Sequence, residues 1–227
     1  GGNTIAESTD GTNWTGTGTG TGTVLLDEAY GIGWDSGNRI IASIKISETI
    51  GDFIYSDTSG NTIWNPSNQP SVFSDHANDT AYNGTIWVGT GQGNGNTLAY
   101  SQNDATTWIG LGKTVFSISS NKVAWNGSIW IATGEGGNTL AKSTDGINWT
   151  GLGAVTFTTR ANGIAWDNSN NTWVAMGEST DVSGNTLAYS TDNGTTWTGL
   201  GKSVFSTGGT SAFWNGYIWV ATGEGDN

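Results

Sequence analysis

The residues of this chain best suited to chemistry are polar side chains that recur at one type of glycine-rich turn. Glu135 stands in ATGEGG, and an acid or an amide takes the same place in three other stretches. Two nearby segments, GLGKTVFS and GLGKSVFS, each add a lysine and a phenylalanine. Carboxylates and amides bind sugar hydroxyls, while an aromatic ring packs on the apolar face of a sugar. The predicted ligand-binding residues are therefore Gln92, Glu135, Glu178, Glu224, Lys113, Lys202, Phe116 and Phe205.

A second interpretation of the same residues stays open. Glutamate also solvates an exposed glycine turn, and a recurring phenylalanine also fills the junction between two sheets. Residues that recur for packing and residues that recur for binding look alike in a single sequence. We therefore carry two hypotheses, a carbohydrate-binding module with several weak sites and a purely structural or display domain.

Catalytic groups are poorly represented in the sequence. A glycosidase needs two convergent carboxylates, but the first strands predicted below hold one acid, Asp167, at an outer end, and Asp79 just precedes another. His76 is the single histidine, expected in a solvated loop, and there is no cysteine. No D-x-D-x-D-G calcium loop occurs. We predict no catalytic residue, no enzyme activity, no metal site and no cofactor.

Composition narrows the classes of partner. Glycine fills 37 of 227 positions and charged residues only 11%, yet 13 Trp indicate a chain that packs a core and is not disordered. The net charge of −12 leaves no basic surface for nucleic acid or anionic lipid. No apolar run approaches the length of a membrane helix. The start, Gly1-Gly2-Asn3, has no initiator Met and no signal-peptide pattern, so we expect a processed or excised piece of a longer chain.

The sequence repeats itself with a period of about 45 residues. Related stretches begin at Tyr82, Trp125, Trp166 and Trp214, and the last stops halfway. Its missing half stands at the other end of the chain, where GGNTIAESTDGTNWTG matches the GGNTLAKSTDGINWTG that begins at Gly136. A diverged copy runs from Trp34 to Trp64.

The spacing of the recurring tryptophans predicts how the repeat closes. Trp14, Trp64, Trp108, Trp149 and Trp197 are 50, 44, 41 and 48 residues apart, and the interval from Trp197 through the C-terminus to Trp14 is 44. Because the last interval is an ordinary repeat length, the two chain ends are expected to share one sheet, which leaves no open edge. Each repeat contains four short strands separated by Asn-Gly, Gly-Glu-Gly and Asp-Gly turns.

These features predict an all-β single domain over 1–227, a five-bladed β-propeller of four-stranded antiparallel blades. The blades are expected at 203–227 plus 1–20, 21–70, 71–113, 114–153 and 154–202. The turn after the second strand and the crossover to the next blade then lie on one rim, with the predicted ligand-binding residues. The fourth-strand tryptophans and the second-strand series are expected in the core, because each buried ring removes a large apolar area from water.

One turn sequence resembles a known motif. Ser190-Thr-Asp192-Asn-Gly194-Thr-Thr196-Trp197 matches S-x-D-x-G-x-T-W, and shortened versions occur at Ser8, Asp10 and Trp14 and at Ser143, Asp145 and Trp149. The chain therefore resembles the Asp-box (BNR, sialidase-like repeat) β-propellers, in which this motif forms the hairpin between the third and fourth strands. The physical role expected for Ser8, Asp10, Ser143, Asp145, Ser190, Asp192, Gly194 and Trp197 is structural.

The resemblance does not extend to the sialidase active site. That site needs an arginine cluster, but Arg39 and Arg160 are the only arginines and belong to different repeats. Similar repeat arrays occur in extracellular, phage-tail and large-virus surface proteins, so we expect an extracellular or particle-surface location. We also expect a monomer whose partners are glycans, with no nucleic acid and no membrane insertion. Any specialised function should lie in the diverged copy or in the extended turn from Glu178 to Asn185.

Overall fold

The computed structural model describes residues 3–18, 27–47, 50–57, 64–67 and 70–225, and in these ranges it contains twenty β-strands and no helix. Within them, accordingly, no helix is long and apolar enough to cross a membrane. The chain divides into two compact units, Gly1–Gly112 and Lys113–Asn227. The expectation of one domain over the whole chain stays a prediction.

The first unit contains a hairpin and two four-stranded antiparallel sheets. The hairpin pairs β1 (Ile5–Glu7) with β2 (Thr15–Gly18). The first sheet, the diverged copy, has the order β3 (Glu28–Trp34), β4 (Ile40–Ser47), β5 (Ile50–Ser56) and β6 (Asn65–Pro66). The second contains β7 (His76–Tyr82), β8 (Trp87–Gln92), β9 (Leu98–Ser101) and β10 (Ile109–Gly110).

The second unit contains two four-stranded sheets and a two-stranded one. The four-stranded sheets are β11 (Ser119–Trp125), β12 (Trp130–Glu135), β13 (Leu140–Ser143) and β14 (Thr150–Gly151), then β15 (Arg160–Asp167), β16 (Thr172–Glu178), β17 (Leu187–Ser190) and β18 (Thr198–Gly199). β19 (Gly208–Trp214) pairs with β20 (Trp219–Glu224) as an inner half-sheet. Each four-stranded sheet lies within one of the predicted repeats.

A bulge near the start of the first strand recurs in all five copies, at Ala29/Gly31, Ala77/Asp79, Ser120/Lys122, Ala161/Gly163 and Gly209/Ser211. The residue inside it is asparagine in three copies. Asn121 Nδ2 donates to Ala161 O at 2.8 Å, and Asn162 Nδ2 donates to Gly209 O at 3.0 Å. The bulge thus turns a side-chain amide toward the next sheet, where it joins successive copies.

The turn between the first and second strands is fixed by an Asx motif. Asn126 Oδ1 accepts the N–H groups of Ser128 and Ile129 at 2.9 and 2.8 Å, and Gly127 adopts φ +95°. Asp167 takes the same role in the next sheet, where it is fully buried and accepts from Ser169 N and Asn170 Nδ2, both at 2.7 Å. The one acid of the predicted first strands is therefore engaged in a turn.

The turn between the third and fourth strands carries the Asp-box residues. Ser143 Oγ donates to Asp145 Oδ1 at 3.0 Å, and Asp145 Oδ1 accepts the N–H groups of Ile147 and Asn148 at 2.9 and 2.7 Å. Trp149 Nε1 donates to Gly146 O at 3.0 Å. Asp10 and Asp192 make equivalent bonds. Hydrogen bonds to the ionised form, that from the Asn148 side chain first, lower the pKa of Asp145, and the pKa of Asp10 and Asp192 is lowered in the same way.

The core lies between the sheets. The second-strand rings Trp87, Trp130 and Trp173 are at most 1% exposed. Each packs on an aromatic residue at or next to the end of its first strand, with centroids 4.8 to 5.0 Å apart. Trp219 is half-buried. Trp14 is 65% exposed, so its prediction as a core residue is wrong for the structure described here. Among the described residues of the first unit, β1 pairs with β2 alone, so no inner strands lie beside this hairpin within its own unit.

Candidate functional site

The strand-end rim is defined, in each sheet, as the first residue of the first strand together with its cross-strand partner at or near the end of the second strand. It holds the predicted turn residues. The five pairs are Glu28 with Lys45, His76 with Gln92, Ser119 with Glu135, Arg160 with Glu178, and Gly208 with Glu224. A chain reversal follows each second strand, so the rim side chains stand where backbone pairing ends.

In the second unit this rim is a continuous ladder. Glu135 also partners Arg160 of the next sheet, and Glu178 partners Gly208 of the half-sheet. The row of partners therefore runs Ser119, Glu135, Arg160, Glu178, Gly208, Glu224. Since neighbouring strands are about 4.8 Å apart, successive glutamates of the row are roughly 10 Å apart along the backbone.

Glu178 is the best anchored acid of the row. Its Oε1 accepts from Arg160 Nε at 3.0 Å, Arg160 Nη2 at 2.8 Å and Asn162 Nδ2 at 3.1 Å. Partial desolvation opposes ionisation, yet the Arg160 and Asn162 hydrogen bonds lower the pKa of Glu178. The Glu178 hydrogen bond, with Glu135 and Glu224 acting at longer range, raises the pKa of Arg160. The arginine thus holds a positive charge among three carboxylates.

The other predicted polar residues have varied surroundings. Gln92 and Glu135 are half-buried and Glu224 is exposed. Lys202 Nζ donates to Ser179 O at 2.9 Å, which ties the crossover to the extended turn after β16. Lys113 is half-buried at the start of its crossover. The structure therefore brings the glutamates together, while Lys202 has a structural contact.

The phenylalanines do not form an exposed platform. Phe116 is fully buried, and a Cβ on Gly134 would lie 2.7 Å from its ring. Phe205, which is half-buried, lies against Gly223 in the same way. The ring occupies the space left by the missing glycine side chain. The prediction that Phe116 offers a ring to ligand is wrong, because this ring is a core residue.

The first unit supplies an aromatic group at the rim instead. Tyr30 occupies the bulge position that asparagine takes in other copies, is 42% exposed, and lies with its ring centroid 5.1 Å from that of His76. Its hydroxyl donates to Glu28 Oε2 at 2.5 Å, and His76 Nδ1 is 3.2 Å from Asp75 Oδ1. His76 begins β7 and is 21% exposed, so its prediction as a solvated loop residue is wrong.

The sequence interpretation missed Arg160, Asn162 and Tyr30. The recurring asparagine at the third position of three first strands, Asn78, Asn121 and Asn162, is visible in the repeat alignment and could have marked this position. The substitution of tyrosine for it in the diverged copy follows from the same alignment. Pairing of Arg160 with Glu178 needs the strand register, which the bulge shifts by one residue.

Within the part of the chain that is described, no group of three or more His, Cys, Asp or Glu side chains could hold a metal ion. Asp79 pairs across the strand with Thr90 inside β7. The strand-end rim offers hydrogen-bonding groups and the ion pair of Arg160 with Glu178, an arrangement suited to holding a polar ligand.

Comparison with known proteins gives the fold. No family model and no curated protein matches the chain. Among 192 matching chains of solved structures, one from a nidogen/laminin complex is 12% identical, with a TM-score of 0.63 over 86% of this chain and 71% of that one. The GH74 enzyme of Niastella koreensis is 20% identical, with a TM-score of 0.53 over 80% of this chain. This chain spans 25% of that enzyme chain. At these identities the likeness establishes architecture alone: the chain is an all-β protein with the β-propeller fold.

Proposed function

We propose that this protein is a non-enzymatic recognition module that binds carbohydrate weakly at its strand-end rim. The observation that carries the proposal is the ladder of rim residues in the second unit, in which Glu178 is fixed by Arg160 and Asn162. Ligand sites in proteins combine a few oriented polar groups with an apolar surface. An oriented carboxylate at the edge of a rigid sheet supplies the polar part.

The first unit offers a separate rim position, in which Tyr30 supplies an apolar group that the buried Phe116 does not. Tyr30 is exposed beside a carboxylate, Glu28, and a second aromatic ring, His76. An aromatic ring with a hydrogen-bonding neighbour is the pairing that a sugar needs for its apolar face and its hydroxyls. Several such positions in one chain raise the apparent affinity for a repetitive glycan through multivalency. As part of the same proposal, the module acts as a monomer at an extracellular or particle surface.

A glycan-array screen followed by calorimetry on each hit tests this function. We expect millimolar binding of at least one glycan, weakened severalfold by the pair Glu135→Ala and Glu224→Ala. The matched control is Glu7→Ala, which removes a glutamate outside the rim and should leave binding unchanged. No binding at millimolar glycan would contradict the proposal, as would an unchanged affinity in the double variant. Release of sugar from any glycoside by the protein would contradict its non-enzymatic part.

A structural or display role is the second candidate. The observation that favours it is the recurring contact between a crossover phenylalanine and a second-strand glycine, as in Phe116 with Gly134 and Phe157 with Gly177. Repetition for packing then accounts for part of the pattern that first indicated ligand binding. Retained stability with no glycan bound in the screen would favour this role.

For the finer architecture, we propose five four-stranded blades of the Asp-box type, the fifth formed by β19 and β20 with the N-terminal hairpin. Packing within each unit supports this. Ile5 of the hairpin clusters with Ala42, Ile44 and Ile54 of the diverged sheet. Leu140, at the equivalent place in β13, clusters likewise with alanines of the following sheet, Ala161, Ala175 and Ala188. The hairpin thus has the surroundings of an outer half-blade, and β19 with β20 form an inner half.

A disulfide tests this closure, since the chain has no native cysteine. Ile131 of β12 pairs with Lys142 of β13, so the equivalent Val220 should stand opposite Glu7. We expect the variant carrying Glu7→Cys and Val220→Cys to form an intramolecular disulfide on mild oxidation. Phe213 pairs with Val220 from the inner side, one strand farther from Glu7, so Glu7→Cys with Phe213→Cys is the matched control. Equal crosslinking of both pairs, or of neither, would contradict the closure.

A further inference from the structure

An apolar cleft of about 420 Å³ lies in the second unit between the outer strands of the β15–β18 sheet and the half-sheet. One wall includes Val174, Leu187 and Tyr189, and the other includes Trp219 and Ala221. Between Trp219 and Ala221, Val220 lies on the other face of the half-sheet and is 54% exposed, whereas its counterpart Ile131 in β12 is fully buried. This cleft is lined mainly by apolar side chains, and the rim site does not use it.

The neighbouring sheet shows what normally covers such a face. On the β11–β14 sheet, the Asp-box turn of the next copy lies over β12 and β13. A Cβ on Gly194 would collide with Ile131 Cδ1, Lys142 Nζ donates to Thr195 Oγ1 at 3.0 Å, and Asn126 Nδ2 donates to Asn193 Oδ1 at 3.1 Å. Ile131 is fully buried as a result.

The corresponding residues of the β15–β18 sheet lack this cover within the second unit. Val174 and Tyr189 occupy the places of Ile131 and Lys142, since both pairs are cross-strand partners in equal registers. Val174 is half-buried where Ile131 is fully buried, and Leu187 is half-buried where Leu140 is 1% exposed. The cleft has the shape of a site from which an Asp-box hairpin is missing.

The N-terminal hairpin, formed by β1 and β2, carries an Asp-box turn that covers no sheet within the first unit. β1 and β2 flank the turn of Ser8 and Asp10, whose internal bonds equal those of the covered turns. A Cβ on Gly11 would meet nothing within 4 Å, and Trp14 is 65% exposed. The turn is therefore formed and its outer surface is uncovered in the first unit.

We propose that this cleft, with the free edge of β20, is a docking site for the N-terminal hairpin, Ile5–Gly18, of a second copy of the chain. The inference rests on the closure proposed above and goes beyond it, because the same interface forms within one chain or between two. Docking between two chains competes with docking within one chain. It becomes more frequent as the protein concentration approaches the effective concentration of the chain's own hairpin. Exchange of an identical element between copies needs no new complementary surface. At high local concentration, as on a crowded surface, copies are joined through this site.

The experiment mixes two full-length variants, one with Glu7→Cys and one with Val220→Cys, and refolds them together at low and at high protein concentration before mild oxidation. We expect a disulfide-linked heterodimer on a non-reducing gel, with a yield that rises with concentration. Each variant refolded alone should give little disulfide-linked homodimer, because two copies of the same cysteine are not opposed in the docked register. The matched control replaces Val220→Cys by Phe213→Cys, which is similarly exposed but one strand farther away.

Two outcomes overturn the inference, and they are distinguishable from a failure of the closure. If the Glu7→Cys, Val220→Cys double variant crosslinks within one chain but the mixture never yields the heterodimer above the control, exchange between copies is wrong and the closure stands. If neither crosslinks, both are wrong. A heterodimer in the mixture together with a doubled mass of wild-type protein at high concentration by light scattering supports the docking site.

Discussion

β12 and β20 have nearly the same sequence, WIATGE and WVATGE, but very different surroundings. In β12 the first five residues are all buried, and Trp130 and Ile131 are inaccessible. In β20 no residue is fully buried, and Val220 is 54% exposed. The two strands pair with their first strands in equal registers. Because the two strands differ only by Ile131 in place of Val220, the difference in burial must come from the neighbouring copy of the repeat.

The largest effect that tests this comparison is expected when the tryptophan that begins each strand is replaced by alanine. Trp130→Ala should lower the free energy of unfolding by about 3–5 kcal/mol, since it opens a cavity in a packed core. Because we propose that a hairpin covers β20, Trp219→Ala should cost a similar amount in solution. Urea unfolding followed by far-UV circular dichroism measures both. A cost below about 1 kcal/mol for Trp219→Ala beside a full cost for Trp130→Ala would mean that β20 is uncovered.

Much of this architecture could be predicted from the sequence. The strands and turns follow from turn chemistry that is local, such as Asn126 with Gly127 and Asp145 with Gly146, whose bonds close within three residues. The repeat boundaries follow from the same residues. Such signals survive in a single sequence because each is completed by its own neighbours along the chain.

The site was harder to predict, because its parts depend on contacts between copies. Glu178 could be placed on the rim, but its partner Arg160 required the register across a bulge. The burial of Phe116 is not visible in the sequence, because it depends on the absent side chain of Gly134, a residue on a different strand. The exposure of Trp14 likewise depends on which strands lie beside its hairpin.

The diverged sheet extends the comparison to a structurally equivalent position that holds a different residue from the other sheets. Thr97, Thr139 and Thr186 begin the outer part of their repeats as buried hydroxyls that bond to carbonyls of the crossover. In the diverged sheet this position holds Asp52, 6% exposed, which accepts from Phe53 N and Ser67 Oγ, both at 2.8 Å. Desolvation raises the pKa of Asp52 to about 6, against the two hydrogen bonds, which lower it.

A raised pKa means that the protonated carboxyl is more stable, relative to the ionised one, in the folded chain than in the unfolded chain. The stability that it contributes is fully present below the ordinary pKa of the unfolded chain and is lost as pH rises through about 6. We therefore expect the free energy of unfolding to fall by about 1 kcal/mol between about pH 5 and about pH 7.5. Asp52→Asn should remove this fall. Its Oδ1 can still accept from Phe53 N, while its Nδ2 can donate to Ser67 Oγ in place of the bond that Oδ2 accepts.

Denaturant titrations across this pH range measure the effect, and a His76→Gln background removes the chain's single imidazole from the comparison. An Asp52→Asn protein with the wild-type slope would show that the buried carboxyl does not control stability in this range. The regular sheets, with threonine at this place, should contribute no such slope.

The smallest expected effect compares two Asp-box turns, one covered and one exposed. The Asp192 turn lies on the β11–β14 sheet through Thr195 and Asn193, whereas the Asp10 turn is uncovered in its own unit. In both, hydrogen bonds lower the pKa, from the Thr196 side chain to Asp192 and from Asn13 N–H to Asp10. A lowered pKa stabilises the fold above the ordinary aspartate pKa and the contribution disappears as the pH falls below about 4.

Asp192→Ala should therefore lower the melting temperature by a few degrees at neutral pH and make it less sensitive to acid. Since the local bonds are equal and we propose that the Asp10 turn also docks on a sheet, Asp10→Ala should cause a similar shift. Calorimetric scans at neutral and acidic pH measure both variants. A melting temperature unchanged by Asp10→Ala but lowered by Asp192→Ala would show that the Asp10 turn does not stabilise the fold in solution. β20 would then be exposed in solution, unlike β12.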